Sequence, residues 1–165
     1  MRRITGWKVA LMVGMVVCLG VSGAFAEDKI IKIGTLFPLT GSVATAGQRC
    51  QAAVETAVEV VNGSHPELQV PLAAQEGILG GYKIVLVNAD TQAKPDVAKA
   101  EAERLYNQEG VYAVIGCYNS SSTKPASAVA ERMKKIFMCG CSSSAALTER
   151  DFSYFFRLAP TDKTE

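Results

Sequence analysis

The sequence predicts an α/β domain in which a parallel β-sheet is flanked by helices. Short apolar runs typical of buried strands alternate along the chain with segments of helical periodicity, and Gly, Pro and Asn mark the boundaries between them. No internal repeat or low-complexity tract interrupts the alternation. A chain of 165 residues with 48% apolar and 20% charged residues suits one ordinary globular domain.

The first half of the chain predicts two strands with a helix between them. Residues 30–37 form an apolar run, and residues 50–61 place apolar side chains at i, i+3 and i+4 spacing. Residues 64–82 mix Pro and Gly without periodicity, which predicts a long surface loop. We expect His65 in this loop, the single histidine of the chain, to be solvent-exposed rather than catalytic. Residues 84–87 are the second strand.

The second half continues the alternation. Pro95 occupies a first helical position, and Gly110 follows the end of the same helix. The sequence then predicts a strand over 111–116, a helix over 124–133, a strand over 136–138, a short helix from about Ala145 and a last strand over 154–158.

The first 26 residues have the pattern of a cleaved secretory signal peptide. Arg2, Arg3 and Lys8 precede an uncharged apolar run over 9–21, and Ala24-Phe25-Ala26 supplies a small-x-small cleavage site. The competing interpretation, a membrane anchor, needs about 20 apolar residues, which is longer than this run. The sequence therefore predicts export, most simply to a bacterial periplasm.

The net charge argues against two classes of partner, nucleic acid and membrane surfaces. The chain carries 17 Lys and Arg against 16 Asp and Glu, and removal of the signal peptide leaves 14 against 16. This weakly acidic balance gives no electrostatic footprint for nucleic acid and no basic patch for a membrane surface.

Four cysteines remain after the signal peptide: Cys50, Cys117, Cys139 and Cys141. Disulfides persist in an oxidising compartment, but the pairing cannot be deduced from sequence. A bridge from Cys117 to Cys139 or Cys141, across neighbouring strand ends, is one alternative. A metal site is disfavoured, because Cys-x-Cys with a single histidine lacks the usual ligand spacings.

Hydroxyl side chains cluster after two of the predicted strands, at 120–123 and 142–144. In open α/β sheets, ligands bind outside the carboxyl ends of the strands. The first cluster alone is best explained as helix capping, but two clusters converging on one crevice favour binding of a small anionic group. Asp90, the only carboxylate at a predicted strand end, is better explained as capping the turn at Thr91.

Enzymatic interpretations find no support. The chain contains no G-x-S-x-G elbow, no G-x-x-x-x-G-K-[ST] loop and no G-x-G-x-x-G after a strand. A serine hydrolase also needs a base, and His65 lies in the irregular loop. We expect a non-enzymatic protein without cofactor or metal.

Three segments carry a resemblance to a known family: 33–41 with Ala44 and Gly47, 114–127, and 155–162. Together they resemble the Leu/Ile/Val-binding family of periplasmic binding proteins. The resemblance implies a type I periplasmic binding protein fold with two lobes that close around a small ligand, an amino acid or related amide, and deliver it to an ABC transporter permease in the inner membrane. The alternative is the extracellular ligand-sensing domain of a membrane receptor.

The resemblance also assigns roles to site residues. It implies that Ser120 offers its hydroxyl to a ligand carboxylate, that Ser143 offers its hydroxyl and amide, and that Cys141 offers its carbonyl to an ammonium group. The pocket would further be lined by Tyr118, Asn119 and Ser142.

Several positions depart from the family pattern. Ser143 stands where the family has Thr, and Cys141 stands where it has the smaller Ala. Ala46 replaces an aromatic residue that packs on the ligand in well-known members, so a branched aliphatic ligand is not implied. The cysteine pair that some members bridge falls on Ala93 and Asn119, so that disulfide is absent.

Family members run to roughly twice this length. The resemblance therefore implies an N-terminal fragment, in which residues 27–159 form an incomplete first lobe and residues 160–165 begin the crossover to a second lobe. We expect such a half-lobe to have an exposed sheet edge, a one-sided site and little ligand affinity by itself.

Overall fold

A computed structural model describes residues 29–163, which form one five-stranded sheet in which all strand pairs are parallel. The strand order is β2-β1-β3-β4-β5. The predicted α/β architecture is thus confirmed; the predicted signal peptide lies outside the described residues. The strands are β1 (Ile30–Phe37), β2 (Lys83–Asp90), β3 (Ala113–Gly116), β4 (Ile136–Cys139) and β5 (Phe155–Arg157), and the helices are α1 (Ala44–Asn62), α2 (Pro95–Asn107) and α3 (Ser120–Met133).

Two helices begin earlier than their sequence patterns predict. Helix α1 starts at Ala44 rather than near Cys50. The residues over 44–49 include no large apolar side chain, so they show no apolar periodicity in the sequence. Helix α3 starts at Ser120 rather than Lys124, so the hydroxyl run is its first turn. The prediction placed the helix start next to Pro125, because proline is typical of a first helical position. In the structure the helix continues through Pro125.

The irregular segments are close to expectation. The predicted loop over 64–82 contains two single 3₁₀ turns, Pro66–Leu68 and Pro71–Ala73, and an isolated bridge between Ile78 and Tyr82. The short helix predicted from Ala145 is one 3₁₀ turn, Ala145–Leu147. Within residues 29–163, no helix combines the length and apolar character that a membrane span requires.

One face of the sheet carries the apolar core. Leu36, Val114 and Phe137, from three neighbouring strands, are fully buried together with Leu105 of α2 and Val129 of α3. Each such side chain contributes about 1.5–3 kcal/mol by leaving water. This core fixes α2 and α3 against the sheet and therefore fixes where α3 begins.

The other face is covered by α1 and is more polar. Right-handed crossovers place α1 opposite α2, because the chain moves in opposite directions along the sheet from β1 to β2 and from β2 to β3. Helix α1 buries only Gly47 and Gln51. Its contact with the sheet includes a hydrogen-bonded series, which we call the polar chain: Gln51 Nε2 to Glu55 Oε1 (2.8 Å), Asn88 Nδ2 to the same oxygen (3.5 Å), and Thr35 Oγ1 to Asn88 Oδ1 (2.9 Å).

The carboxyl ends of β1 and β3 approach each other closely at Gly116. A Cβ atom at this position would overlap the carbonyl oxygen of Leu36. Because that oxygen belongs to the backbone of β1, which is hydrogen-bonded to a strand on each side, it cannot move aside cheaply. Glycine is therefore required where β3 delivers the chain to the loop beyond the sheet.

We predict that Gly116→Ala lowers the free energy of unfolding by about 2 kcal/mol or more, because overpacking against backbone forces the strands apart. Gly140→Ala is the matched control, since Gly140 follows the neighbouring strand and a Cβ there meets nothing within 4 Å. Chemical denaturation of both variants measures the difference. Equal stabilities would contradict the proposed steric constraint.

Candidate ligand-binding site

The strand order places a crevice at the carboxyl ends of β1 and β3. From β1 the chain turns toward β2, and from β3 it turns toward β4, so the two loops diverge. Doubly wound sheets of order 2-1-3-4-5 bind ligands at this switch point. The segments that follow β3 and β4 lie at the carboxyl ends of the strands and contain the hydroxyl clusters predicted from sequence.

The structure brings the two hydroxyl clusters together. The backbone amide of Ser144 donates to Ser120 Oγ at 3.3 Å. Deeper in the fold, Thr123 Oγ1 and Ser142 Oγ lie 2.7 Å apart, and Ser142 Oγ also donates to the carbonyl of Tyr118 at 3.1 Å. The loop after β4 is thus hydrogen-bonded to the first turn of α3.

Ser142 takes a different position from Ser120 and Ser143. Ser142 is only 1% exposed. Its backbone amide donates a hydrogen bond to Cys139 Sγ at 3.3 Å. The hydroxyl is therefore committed to joining the two loops. The expectation that this side chain lines the pocket does not fit its burial, so any contact of Ser142 with a ligand falls to its backbone.

Arg157 supports the loop after β4 from the neighbouring strand. Its Nη1 donates to the carbonyls of Ser143 (3.2 Å) and Ser144 (2.7 Å). Asp162 adds a backbone amide on the Ser143 carbonyl at 3.0 Å. Among residues 29–163, no hydrogen bond uses the Ser143 hydroxyl, which leaves this half-buried group available to a ligand.

The start of α3 lacks a side-chain cap. Asn119 precedes the helix, and its side chain makes no capping hydrogen bond; the amides of Ser122 and Thr123 bond to its backbone carbonyl instead. Within the described part of the chain, Asn119 Oδ1 and Ser122 Oγ are buried without a hydrogen-bond partner. Capping therefore does not explain the hydroxyl run, and the partial positive charge of the helix start faces no side-chain acceptor.

Residues 30–165 match the sequence profile of a family described as periplasmic binding protein. The chain belongs to the periplasmic binding protein family. It is 34% identical over 144 residues to an amino acid binding protein of Pseudomonas aeruginosa, covering 87% of this chain and 35% of that protein. It is also 35% identical over 140 residues to the mouse gamma-aminobutyric acid type B receptor subunit 1, covering 82% of this chain and 13% of the receptor.

Solved structures agree with the family. A branched-chain amino acid transporter substrate-binding protein of Streptococcus pneumoniae, in complex with isoleucine, superimposes with a TM-score of 0.68 at 25% identity, covering 81% of this chain and 34% of that protein. The predicted type I periplasmic binding protein fold is confirmed. The chain spans about a third of the length of these periplasmic binding proteins.

Asp90 shapes the wall of the crevice in this periplasmic binding protein. Its Oδ1 accepts hydrogen bonds from the amides of Leu39 (2.8 Å), Thr40 (3.3 Å) and Gln92 (2.8 Å), and its Oδ2 accepts one from the Thr40 hydroxyl at 2.5 Å. Burial raises the pKa of the carboxyl, but the Thr40 hydroxyl and the three amides lower it by more, so the net shift is downward. Asp90 thus caps its turn, as predicted, and also fixes the loop after β1.

His65 does not contribute to this site. It lies in the loop that leads into the amino end of β2, and this end of the sheet is opposite to the carboxyl ends that form the site. Its Nδ1 contacts Glu67 Oε1 at 3.2 Å, and its side chain is 37% exposed rather than fully solvated. Among the residues that the structure describes, no group of three or more His, Cys, Asp and Glu is arranged to hold a metal ion.

The cysteines are arranged differently from the alternative that the sequence suggested. Cys117 and Cys139 are both fully buried, and Cys139 Sγ is directed at the Cys117 carbonyl, 3.7 Å away, rather than at its sulfur. Cys141 Sγ lies 3.5 Å from Cys50 Sγ. The sequence alone did not pair Cys50 with Cys141, because only cysteines that directly follow a strand were considered. Helix α1 follows β1, so its first turns also lie near the carboxyl ends of the strands, and this could have indicated the pairing.

We predict that Asp90→Ala lowers the free energy of unfolding at neutral pH by about 1–2 kcal/mol, because three amides and a hydroxyl lose their acceptor. Since folding lowers the pKa of Asp90, its stabilising effect is complete above the unfolded pKa near 4 and is lost as the pH falls through the folded value. Denaturation at several pH values should show the difference from wild type shrinking below about pH 4. Glu59→Ala, on the exposed side of α1, is the control, and a pH-independent difference would contradict this role.

Proposed function

We propose that this chain is the ligand-binding part of a non-enzymatic, periplasmic solute-binding protein that takes up an amino acid or a related small amide or carboxylate. The observation that carries the proposal is the convergence of the Ser120 and Ser143 segments beside the uncapped start of α3. Hydroxyls and helix amides suit a carboxylate, because each donates a hydrogen bond without adding a fixed charge.

Each site residue then has a defined contribution. Ser120 already accepts a bond from the Ser144 amide, so its hydroxyl proton is directed to the ligand carboxylate, together with the hydroxyl and amide of Ser143. The Cys141 carbonyl accepts from the ligand ammonium. Tyr118, which is 38% exposed, and Asn119 line the pocket. Ser142 joins the loop after β4 to the first turn of α3 and so keeps Ser120 and Ser143 on neighbouring segments of the site.

The side-chain pocket is expected to be roomy on this lobe. Ala46 lies in the first turn of α1, a few residues after the loop that Asp90 fixes. Its side chain is only a methyl group, which would leave space for a ligand side chain that a larger residue would fill. The similar protein of Streptococcus pneumoniae was solved in complex with isoleucine. The proposal therefore includes branched-chain amino acids and larger ligands of the same head-group chemistry.

The proposed mechanism is hinge closure of two lobes on the ligand. The lobe described here supplies one wall of the cleft, and the binding free energy selects the closed form, which an ABC transporter permease in the inner membrane recognises. The family and the signal-peptide pattern support a periplasmic location.

A second candidate function is ligand sensing in the extracellular domain of a membrane receptor. The 35% identity to the mouse receptor subunit favours it, since that protein uses a related segment in a much longer chain. Sequencing of the gene beyond codon 165 separates the two: a second lobe followed by a stop codon supports transport, and a membrane-spanning segment with a signalling domain supports sensing.

We predict that Ser120→Ala and Ser143→Ala each weaken ligand binding by about 10- to 100-fold, the loss expected when a charge-assisted hydrogen bond to a carboxylate is removed. The measurement is isothermal titration calorimetry on the complete protein with L-leucine, L-isoleucine, L-valine and their amides. Ser121→Ala, on the exposed side of the same helical turn, is the matched control and should bind as wild type does. Unchanged affinity in both site variants would remove the assignment.

A further inference from the structure

We propose that Cys50 and Cys141 form a disulfide in the exported protein and that this bond fastens α1 to the loop after β4. Their sulfur atoms lie 3.5 Å apart although the residues are 91 positions apart in the chain. The inference rests on the periplasmic location in the proposed function, because only an oxidising compartment supports such a bond.

The geometry selects this pair among the four cysteines of the described chain. A disulfide needs sulfur atoms about 2.05 Å apart, so Cys50 and Cys141 must approach by only about 1.5 Å. Cys139 Sγ instead accepts the Ser142 amide at 3.3 Å and lies against the carbonyl of Cys117. Forming any bond to Cys139 would break the contact that positions Ser142.

Solvent accessibility also favours a disulfide between Cys50 and Cys141. Cys50 and Cys141 are both half-buried, whereas Cys117 and Cys139 are fully buried in the apolar core. Burial, together with the hydrogen bond to Cys50 and the neighbouring thiols of Cys50 and Cys139, raises the pKa of the Cys141 thiol to about 12. Cys141 is thus a neutral thiol at neutral pH and a poor first nucleophile, so Cys50 initiates the reaction.

The oxidant is a protein or small-molecule disulfide of the compartment. Cys50 loses its proton and attacks one sulfur of that donor; the donor disulfide breaks, and its second sulfur leaves as a thiol. Cys141 then attacks Cys50 Sγ, gives up its proton and displaces the remaining donor sulfur as a second thiol. The Cys50–Cys141 pair is oxidised by two electrons, and the donor disulfide is reduced by two.

The structure also shows what the bond would do. Helix α1 buries only Gly47 and Gln51, so its attachment to the sheet depends on few apolar contacts and on the polar chain. Cys50 directly precedes Gln51, and Cys141 directly precedes the buried Ser142. A covalent bond between them would join α1, which buries few side chains, to the loop after β4, which is held by many hydrogen bonds.

The test is peptide mapping of the full chain exported in a Gram-negative host. Free thiols are blocked with N-ethylmaleimide at lysis, and the non-reduced digest is analysed by tandem mass spectrometry. Because only Gly140 separates Cys139 from Cys141, fragment ions that break the chain between these two residues assign the link and the alkylation to one or the other. We expect one species in which the Cys50 and Cys141 peptides are linked, with Cys117 and Cys139 alkylated after unfolding. Full alkylation of Cys50 and Cys141, or a link between Cys117 and Cys139, would overturn the proposal.

A stability measurement checks the same bond independently. Reduction of the wild-type protein should lower its thermal midpoint by roughly 10 °C, because the bond closes a long loop. Cys141→Ser should melt like reduced wild type and lose the response to reductant, whereas Cys117→Ala should keep it. A wild-type midpoint that reductant does not move contradicts the inference.

The disulfide inference and the proposed function can fail separately. A protein that binds its ligand with Cys50 and Cys141 unlinked would contradict only the disulfide, and a protein with the link but without ligand binding would contradict only the proposed function.

Discussion

The hydrogen bond between the hydroxyls of Thr123 and Ser142 is the interaction on which the candidate site depends. Both residues are essentially inaccessible to solvent, and their oxygens are 2.7 Å apart. A buried hydroxyl left without a partner costs about 1–3 kcal/mol, and the Ser142 hydroxyl would lose both Thr123 and the Tyr118 carbonyl if its loop moved away from α3. Ser120 lies one helical turn before Thr123, and Ser143 directly follows Ser142. The buried pair therefore fixes the positions of the Ser120 and Ser143 hydroxyls relative to each other.

The two faces of the sheet stabilise the domain in different ways. The face under α2 and α3 is apolar, and its packing decides where α3 begins, which places the first-turn amides at the crevice. The face under α1 relies on hydrogen bonds, from Thr35 through Asn88 to Glu55 and Gln51. Hydrogen bonds contribute about 0.5–1.5 kcal/mol each, less than an equivalent buried aliphatic side chain. The crevice thus has one rigid wall, and its second wall is held by fewer and weaker contacts.

The fold was largely predictable, because strand β1 and the later alternation of apolar runs with helical segments are local patterns. The first turn of α3 was not, since proline is typical of a first helical position, whereas Pro125 lies inside α3 and the helix continues through it. For the site, local sequence located the strand-end hydroxyls but could not rank them. Ser142 and Ser143 are adjacent and chemically identical, and only the tertiary contacts with Thr123 and Arg157 separate a buried linker from an available donor. The proximity of Cys50 to Cys141 is equally a tertiary fact.

The chemistry of the crevice explains why such a site would suit transport. The segments after β3 and β4, residues 117–122 and 139–144, contain no charged side chain. A carboxylate held there would meet hydroxyls, amides and a helix start, each of which contributes about 0.3–3 kcal/mol, rather than a single buried cation. Affinity would then be the sum of many small terms that form together as the cleft closes and are lost together as it opens. Under the proposed transport function, the protein must both capture and release its ligand, and a site built from neutral donors would suit both steps.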